Sequence, residues 1–239
     1  MVVAVRDGGP ELLPSLRSVL EQEGGVLELT VVGDGSKGAT PAALRERAAA
    51  DARVRPLRLE PSGITRALQA GCAAAQAPIL ARQDVGDRSL PGRLRAQLEA
   101  LARSPRLALV SSFTECLAPF GETLYVERGG GRPGAEEKLE PPAGTGERRI
   151  GPTSHGSACF RRDVYEACGG YRADFALGQD WDLWYRLGER GTYLTVEALL
   201  YPAVVLAVIL LGSIPQEKLE TARTQKDASR AWLRERAVS

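Results

Sequence analysis

Val31-Val32-Gly33-Asp34-Gly35-Ser36 ends an apolar run on an aspartate and then turns at once on glycine. The run begins at Leu27, so Leu27–Val32 is predicted as a buried strand and Gly33-Asp34-Gly35-Ser36 as the turn that closes it. Pro41 follows at a place where proline starts a helix, and an alanine-rich stretch carries that helix to about Ala50. The same order of strand, turn and helix recurs on both sides. Upstream, the apolar strand Val2–Val5 runs into Arg6-Asp7-Gly8, and Glu11–Glu21 sets Leu12, Leu16, Val19 and Leu20 on one helical face. Downstream, Val54–Leu59 is a strand and Gly63–Ala77 a helix built on Leu68, Cys72 and Ala75. Ile79–Arg82 is a very short strand ahead of Asp84 and Asp87. Ser89-Leu90-Pro91 opens a helix with Leu94, Leu98 and Leu101, and Leu107–Ser111 is a fifth strand. Alternation of this kind predicts the α/β class, a Rossmann-like three-layer sandwich around a mostly parallel central sheet.

The rest of the chain is less regular. Ala158–Phe160 reads as strand, Arg162–Cys168 as helix, and Asp180–Glu189 as a helix bearing Trp181, Trp184 and Leu187. Residues 129–146 are too rich in Gly and Pro for a core element and are expected to form a long mobile loop that closes over substrate. The apolar run Ala198–Ile214 carries Pro202 and falls short of the roughly 20 residues of a spanning helix. Buried strand and membrane-seated segment both remain open for it. Gln216–Ala237 is predicted as a charged amphipathic helix with Leu219, Ala222 and Trp232. We read 1–239 as one domain, with 1–112 as one half, 113–215 as the other, and 216–237 as a C-terminal helix.

Composition narrows the function. The 239 residues, 44% of them hydrophobic, are ample for a core. With 31 basic and 30 acidic side chains, no excess of positive charge exists to neutralise a nucleic-acid backbone. Four cysteines without a C-x-x-C and one histidine argue against a zinc cluster or a disulfide framework. A cytoplasmic setting is expected, since no basic stretch and long apolar run open the chain.

In an open parallel sheet, ligands collect beyond the carboxyl ends of the strands. Asp7, Asp34, and the pair Asp84 and Asp87 fall just past the first, second and fourth strands. Carboxylates gathered on one edge repel unless a cation lies among them, and Mg²⁺ or Mn²⁺ with a diphosphate meets that need. Each aspartate read alone also suits a helix cap or a turn. The spacing Gly33-x-Gly35-x-x-Gly38 matches a dinucleotide fingerprint, yet Asp34 would face the pyrophosphate and Pro41 starts the helix late. A dinucleotide-binding oxidoreductase is therefore the weaker reading. A serine hydrolase lacks its G-x-S-x-G elbow.

Several stretches together resemble glycosyltransferase family 2, the nucleotide-sugar transferases of GT-A fold. Val31 to Ser36 is similar to the family's Val-Asp-Asp-Gly-Ser, and Gly63 through Gly71 to its Gly-x-x-x-Ala-x-Asn-x-Gly helix. Ile79 to Asp87, followed by Leu90-Pro91 and Arg93-Leu94, resembles the surroundings of its Asp-x-Asp motif. Phe160-Arg161-Arg162, Gly169-Gly170-Tyr171 and Gln179 to Trp184 follow in the family's order.

The resemblance implies an inverting transfer of sugar from a nucleotide-diphosphate donor, a UDP-sugar, to an acceptor hydroxyl. It places Asp7, Asp34, Gly35, Ser36, Arg66 and Asp84 at the nucleotide, Asp84 and Asp87 at a Mn²⁺ or Mg²⁺ ion, and Asp180 as catalytic base. His155, Gly156 and Trp181 would line the acceptor side. The implied partners are the nucleotide-sugar donor and a carbohydrate, polysaccharide or lipid-linked acceptor, the last with peripheral membrane contact. From the residues alone, Asp180 also suits a favourable charge at a helix start, Trp181 a core contact, and His155 a structural turn.

Departures from the family pattern are specific. Gly86 stands where the usual direct metal ligand lies, Gln179 precedes Asp180 in place of an acidic residue, and Leu210-Leu211-Gly212-Ser213 occupies the stretch of a metal-holding histidine. They imply weakened metal binding. A catalytically degenerate relative that binds nucleotide or serves as a partner subunit is the alternative.

Overall fold

The computed structural model describes residues 1–24, 27–118, 121–139, 151–152, 154–175 and 178–204. The strands are β1 (Val2–Val5), β2 (Leu29–Asp34), β3 (Val54–Leu59), β4 (Ile79–Asp84), β5 (Leu107–Leu117), β6 (Thr123–Glu127), β7 (Cys159–Arg161) and β8 (Thr192–Val204). The helices are α1 (Leu12–Leu20), α2 (Thr40–Ala50), α3 (Ile64–Ala74), α4 (Arg93–Arg103), α5 (Arg162–Ala167) and α6 (Gln179–Gly188).

All the described strands join one sheet in the order β3-β2-β1-β4-β7-β5-β6, with β8 paired to β5. The first four are mutually parallel, as βαβ crossovers require. Antiparallel β7 links β4 to β5, β6 is antiparallel to β5, and β8 runs parallel to β5 along its length.

Period-two alternation in β1 and β2 feeds both faces. Val3, Val5, Leu29 and Val31 pack with Leu12, Leu16, Val19 and Leu20 of α1 and with Leu94 and Leu101 of α4. Val2, Ala4 and Val32 pack on the opposite face against Ala67, Leu68 and Cys72 of α3, and that layer continues to Trp184 and Leu187 of α6. Three layers result, with helices on both faces of the sheet. Completely buried Leu16, Leu29 and Leu68 each contribute about 1.5–3 kcal/mol by leaving water. Gly71 lets α3 lie close to the sheet, because a Cβ there would run into Val2 and Val32.

The fold class agrees with the expectation, while several boundaries move. β2 and β4 each run on to their aspartate, β5 extends to Leu117, and β6 had no counterpart in the pattern. The division at 112/113 falls inside β5, so a single sheet holds both halves. Of the apolar run, residues 198–204 form the end of β8, and Ala198, Leu199, Leu200 and Tyr201 are buried there. The remainder of that run and the expected helix 216–237 lie outside the described residues.

The expected loop is corrected over 129–139. Gly134 N donates to Thr195 O, Glu137 exchanges backbone hydrogen bonds with Tyr193, and Leu139 is buried in the core. This stretch is tied to β8; residues 140–150 are outside the described set. Among the described residues no helix is long and apolar enough to cross a membrane.

Candidate active site

Strand register sets the site. Val5 pairs with Gly33 across β1 and β2, and Ala4 with Asp84 across β1 and β4, so Asp7, Asp34 and Asp84 come out along one edge. A cleft of about 800 Å³ opens there, lined by Arg6, Asp7, Glu11, Asp84, Asp87 and Arg88 among others. A smaller cavity of about 230 Å³, bordered by Asp34, Gly63, Ile64 and Ala67, shares Ala4, Val5 and Arg6 with it.

Asp34 is buried, and its carboxylate is well supplied with donors. Oδ1 accepts from Ser62 N (2.6 Å), Ser62 Oγ (2.9 Å) and Gly63 N (3.2 Å), while Oδ2 accepts from Gly63 N (3.1 Å). Arg6 adds a 3.0 Å ion pair. Burial pushes its pKa up, but the Ser62 and Gly63 hydrogen bonds and the Arg6 charge outweigh this and hold it below the ordinary value. Asp34 thus anchors the entry to α3 and fixes Arg6 at the junction of the two cavities.

The neighbouring turns are stapled together. Ser36 Oγ donates to Val5 O (2.9 Å) and accepts from Asp7 N (3.3 Å), and Asp7 Oδ1 accepts from Lys37 N (2.7 Å). Asp7 takes the left-handed conformation (φ 53°), which aspartate tolerates better than most residues. Gly35 (φ 68°) turns where a side chain would collide with Pro61. Arg66 sits on the exposed side of α3 and lines neither cavity.

The two aspartates after β4 differ. Asp84 is 39% exposed, and its Oδ1 accepts 2.6 Å from Arg82, whose side chain is 2% exposed. Burial opposes the Asp84 charge, yet Arg82 holds its pKa below the ordinary value. Asp87 is buried and, among the described residues, receives only neutral donors: the Tyr201 hydroxyl at 2.7 Å on Oδ2 and Val204 N at 3.1 Å on Oδ1. Burial, then repulsion from Asp84, pushes its pKa up to about 6.

On the far side of Asp84, Nε2 of His155 lies 2.7 Å from the Tyr171 hydroxyl, and the ring meets Trp184 edge-on. Burial, reinforced by Arg82, lowers the His155 pKa to about 3, so the ring stays neutral. Gly156 is required by packing, since a Cβ there would land on the Tyr201 hydroxyl; its carbonyl accepts 2.7 Å from buried Arg93. Asp180, in the first turn of α6, accepts from Trp181 N (3.0 Å) and acts electrostatically on Tyr171. Trp181 stacks edge-on with Trp184. His155, Gly156, Asp180 and Trp181 border neither cavity, and the link to Asp84 runs through Tyr171 and His155.

These residues do not fit a tightly held divalent cation. Hard cations take about six oxygen ligands. Here Gly86 offers no donor side chain, both Asp87 oxygens are hydrogen-bonded inward, and Asp84 already shares an oxygen with Arg82. Among the described residues no three acidic, His or Cys side chains gather as a cation cage. The expected Asp84–Asp87 pair therefore separates into one half-open carboxylate and one inward-facing one.

Arg6, Arg82, Arg88 and Tyr201 shape the site without having been expected there. One signal was legible: Arg82 interrupts an apolar strand, and an arginine so placed needs a partner such as Asp84, two residues on. Tyr201, 114 positions from Asp87, left no local trace.

The three-layer, mostly parallel sheet with aspartates at its carboxyl edge matches solved structures of GT-A glycosyltransferases. The family model for Glycosyl transferase family 2 matches residues 1–169, and the chain belongs to that family. No curated protein matches it by sequence. Among solved structures it is similar to GalNAc-T7 with UDP, GalNAc and Mn²⁺ (TM-score 0.68, 16% identity, 85% of this chain and 43% of that one). It is also similar to Staphylococcus aureus TarS 1-349 (0.63, 12% identity, 85% and 59%). A third is the mannosyltransferase PcManGT from Pyrobaculum calidifontis with GDP-Man and Mn²⁺ (0.61, 18% identity, 84% and 55%). The chain spans about half the length of these structures, and at such identities the likeness shows the fold alone.

Proposed function

We propose that the chain binds a nucleotide-diphosphate sugar, a UDP-sugar, along the edge carrying Asp7, Asp34 and Asp84, and transfers the sugar to an acceptor hydroxyl with inversion. The observation that carries this reading is the pair of joined cavities at that edge, meeting at Arg6. The smaller, bordered by Asp34 and the start of α3, suits a nucleoside, and the larger suits the diphosphate and sugar. Family membership supports the reading. So do the ligands of two similar structures, UDP in one and GDP-Man in the other.

Asp180 would take the acceptor hydroxyl's proton as that oxygen attacks the anomeric carbon, and the nucleoside diphosphate would leave from the opposite face. His155, neutral and hydrogen-bonded to Tyr171, would position the Tyr171 phenol rather than carry a proton.

The test is Asp180→Asn, with UDP-sugars and GDP-sugars screened for transfer to carbohydrate acceptors. Loss of at least about 100-fold in turnover with nucleotide binding kept is expected, in line with removal of a general base. Transfer that survives the substitution overturns the assignment.

A further inference from the structure

A diphosphate brought to this cleft needs positive charge, and the donor set described above does not provide it through a cation. Among the described residues, Arg6 and Arg88 line the cleft. Arg88 folds back over the turn after β4: its Nη1 donates to Gly86 O (3.1 Å) and Asp87 O (3.0 Å), and its Nη2 to Glu11 Oε2 (2.6 Å). Its guanidinium thus covers the turn in which Gly86 stands, the position where a metal-ligating side chain is lacking. The Glu11 pair joins side chains that are 31% and 56% exposed. Pairs of that kind are weak in water, so phosphate oxygens can compete for the guanidinium.

Arg6 is held from behind. Its Nε donates to Asp34 O (3.0 Å) and its Nη2 pairs with the buried carboxylate, while the side chain remains 53% exposed at the junction of the two cavities. Of the carboxylates lining the larger cleft, Asp84 faces Arg82, Asp7 receives Lys37 N, Glu11 pairs with Arg88 itself, and Asp87 is turned inward onto the Tyr201 hydroxyl and Val204 N.

The geometry points to a cleft that holds the donor's diphosphate through Arg6 and Arg88 instead of a divalent cation. The inference rests on the nucleotide-sugar reading above. Planar guanidinium groups suit this task, because each offers paired N–H donors matched to phosphate oxygens.

Calorimetry on chelator-treated full-length protein tests it, with UDP, UMP, GDP and GMP titrated with and without Mn²⁺. The diphosphate should bind at least about tenfold tighter than the monophosphate without metal, and Mn²⁺ should change its affinity by less than about threefold. Arg88→Ala should close most of that gap while leaving the monophosphate affinity in place, and Arg88→Lys should restore part of it. A gap that appears only with Mn²⁺ overturns this inference and leaves the nucleotide reading standing. A gap unchanged in both Arg88→Ala and Arg6→Ala also overturns it. No binding of any of the four nucleotides, with or without Mn²⁺, overturns both. The wild-type comparison needs no variant, so misfolding of a substituted chain cannot decide the outcome.

Discussion

Asp34 and Asp87 are both buried at the same edge of the sheet, yet their chemistry diverges. Asp34 collects hydrogen bonds from Ser62 and Gly63 together with the Arg6 guanidinium, and its pKa falls. Asp87 has a phenol and one backbone N–H, stands near the Asp84 charge, and its pKa rises to about 6. Burial is common to both, so the kind and number of partners decide the charge state. Asp34 organises the entry to α3 and holds Arg6, whereas Asp87 ties the turn after β4 to β8.

The contrast can be broken most severely at Gly156. In Gly156→Ala the new methyl would displace the Tyr201 ring and take away the hydroxyl that serves Asp87. A loss of about 3 kcal/mol or more is expected from overpacking and a stranded carboxyl. Urea denaturation measures it, and a loss under about 1 kcal/mol would show that the ring can move aside.

Asp34→Ala should cost about 2–3 kcal/mol, because it removes the anchor of the α3 entry and leaves Arg6 unpaired. Hydrogen exchange at Ser62 and Gly63 should rise by a larger factor than exchange in β5. Equal changes in both places would mean that Asp34 acts globally.

Asp87→Asn sharpens the comparison through pH. A pKa raised from 3.8 to about 6 means that the native state binds the Asp87 proton more tightly than the unfolded chain does. The associated stability is fully present below 3.8 and is lost as pH rises through about 6. The Asn variant lacks that dependence, so relative to wild type it should gain about 2 kcal/mol between roughly pH 4 and pH 7. Denaturation midpoints of the two proteins across that range give the answer; a constant offset would contradict the assigned environment.

The smallest effect is spectroscopic. His155 is the sole histidine, so a single imidazole signal reports on it. It should not titrate between about pH 5 and 8, and a midpoint near the ordinary value would place the ring in water.

The first four strands were legible from short apolar stretches, Val2–Val5, the run into Val31-Val32, the Val54, Leu57 and Leu59 of β3 and Ile79-Leu80-Ala81, and their parallel order follows from the helices between them. Asp7, Asp34 and Asp84 were legible for the same reason, since register alone brings strand ends to one edge. The second half was less readable. β6 carries a weak pattern in Thr123–Glu127, and β7 is only Cys159–Arg161. Antiparallel insertion of β7 between β4 and β5 depends on pairings across about 80 and 50 positions. The inward turn of Asp87 depends likewise on Tyr201, so its spacing from Asp84 could not show that its oxygens face the Tyr201 hydroxyl and Val204 N.

The central claim is that the edge of Asp7, Asp34 and Asp84 receives a nucleoside diphosphate. Backbone amide shifts on titration with UDP, and with GDP in parallel, test it most directly. The account predicts that one of them perturbs Asp7, Gly35, Gly63, Asp84 and Gly86 while leaving Ala96, Glu99 and Gly134, around the separate cavity beside α4, unchanged. Shifts confined to that second group, or none with either nucleotide, would contradict it.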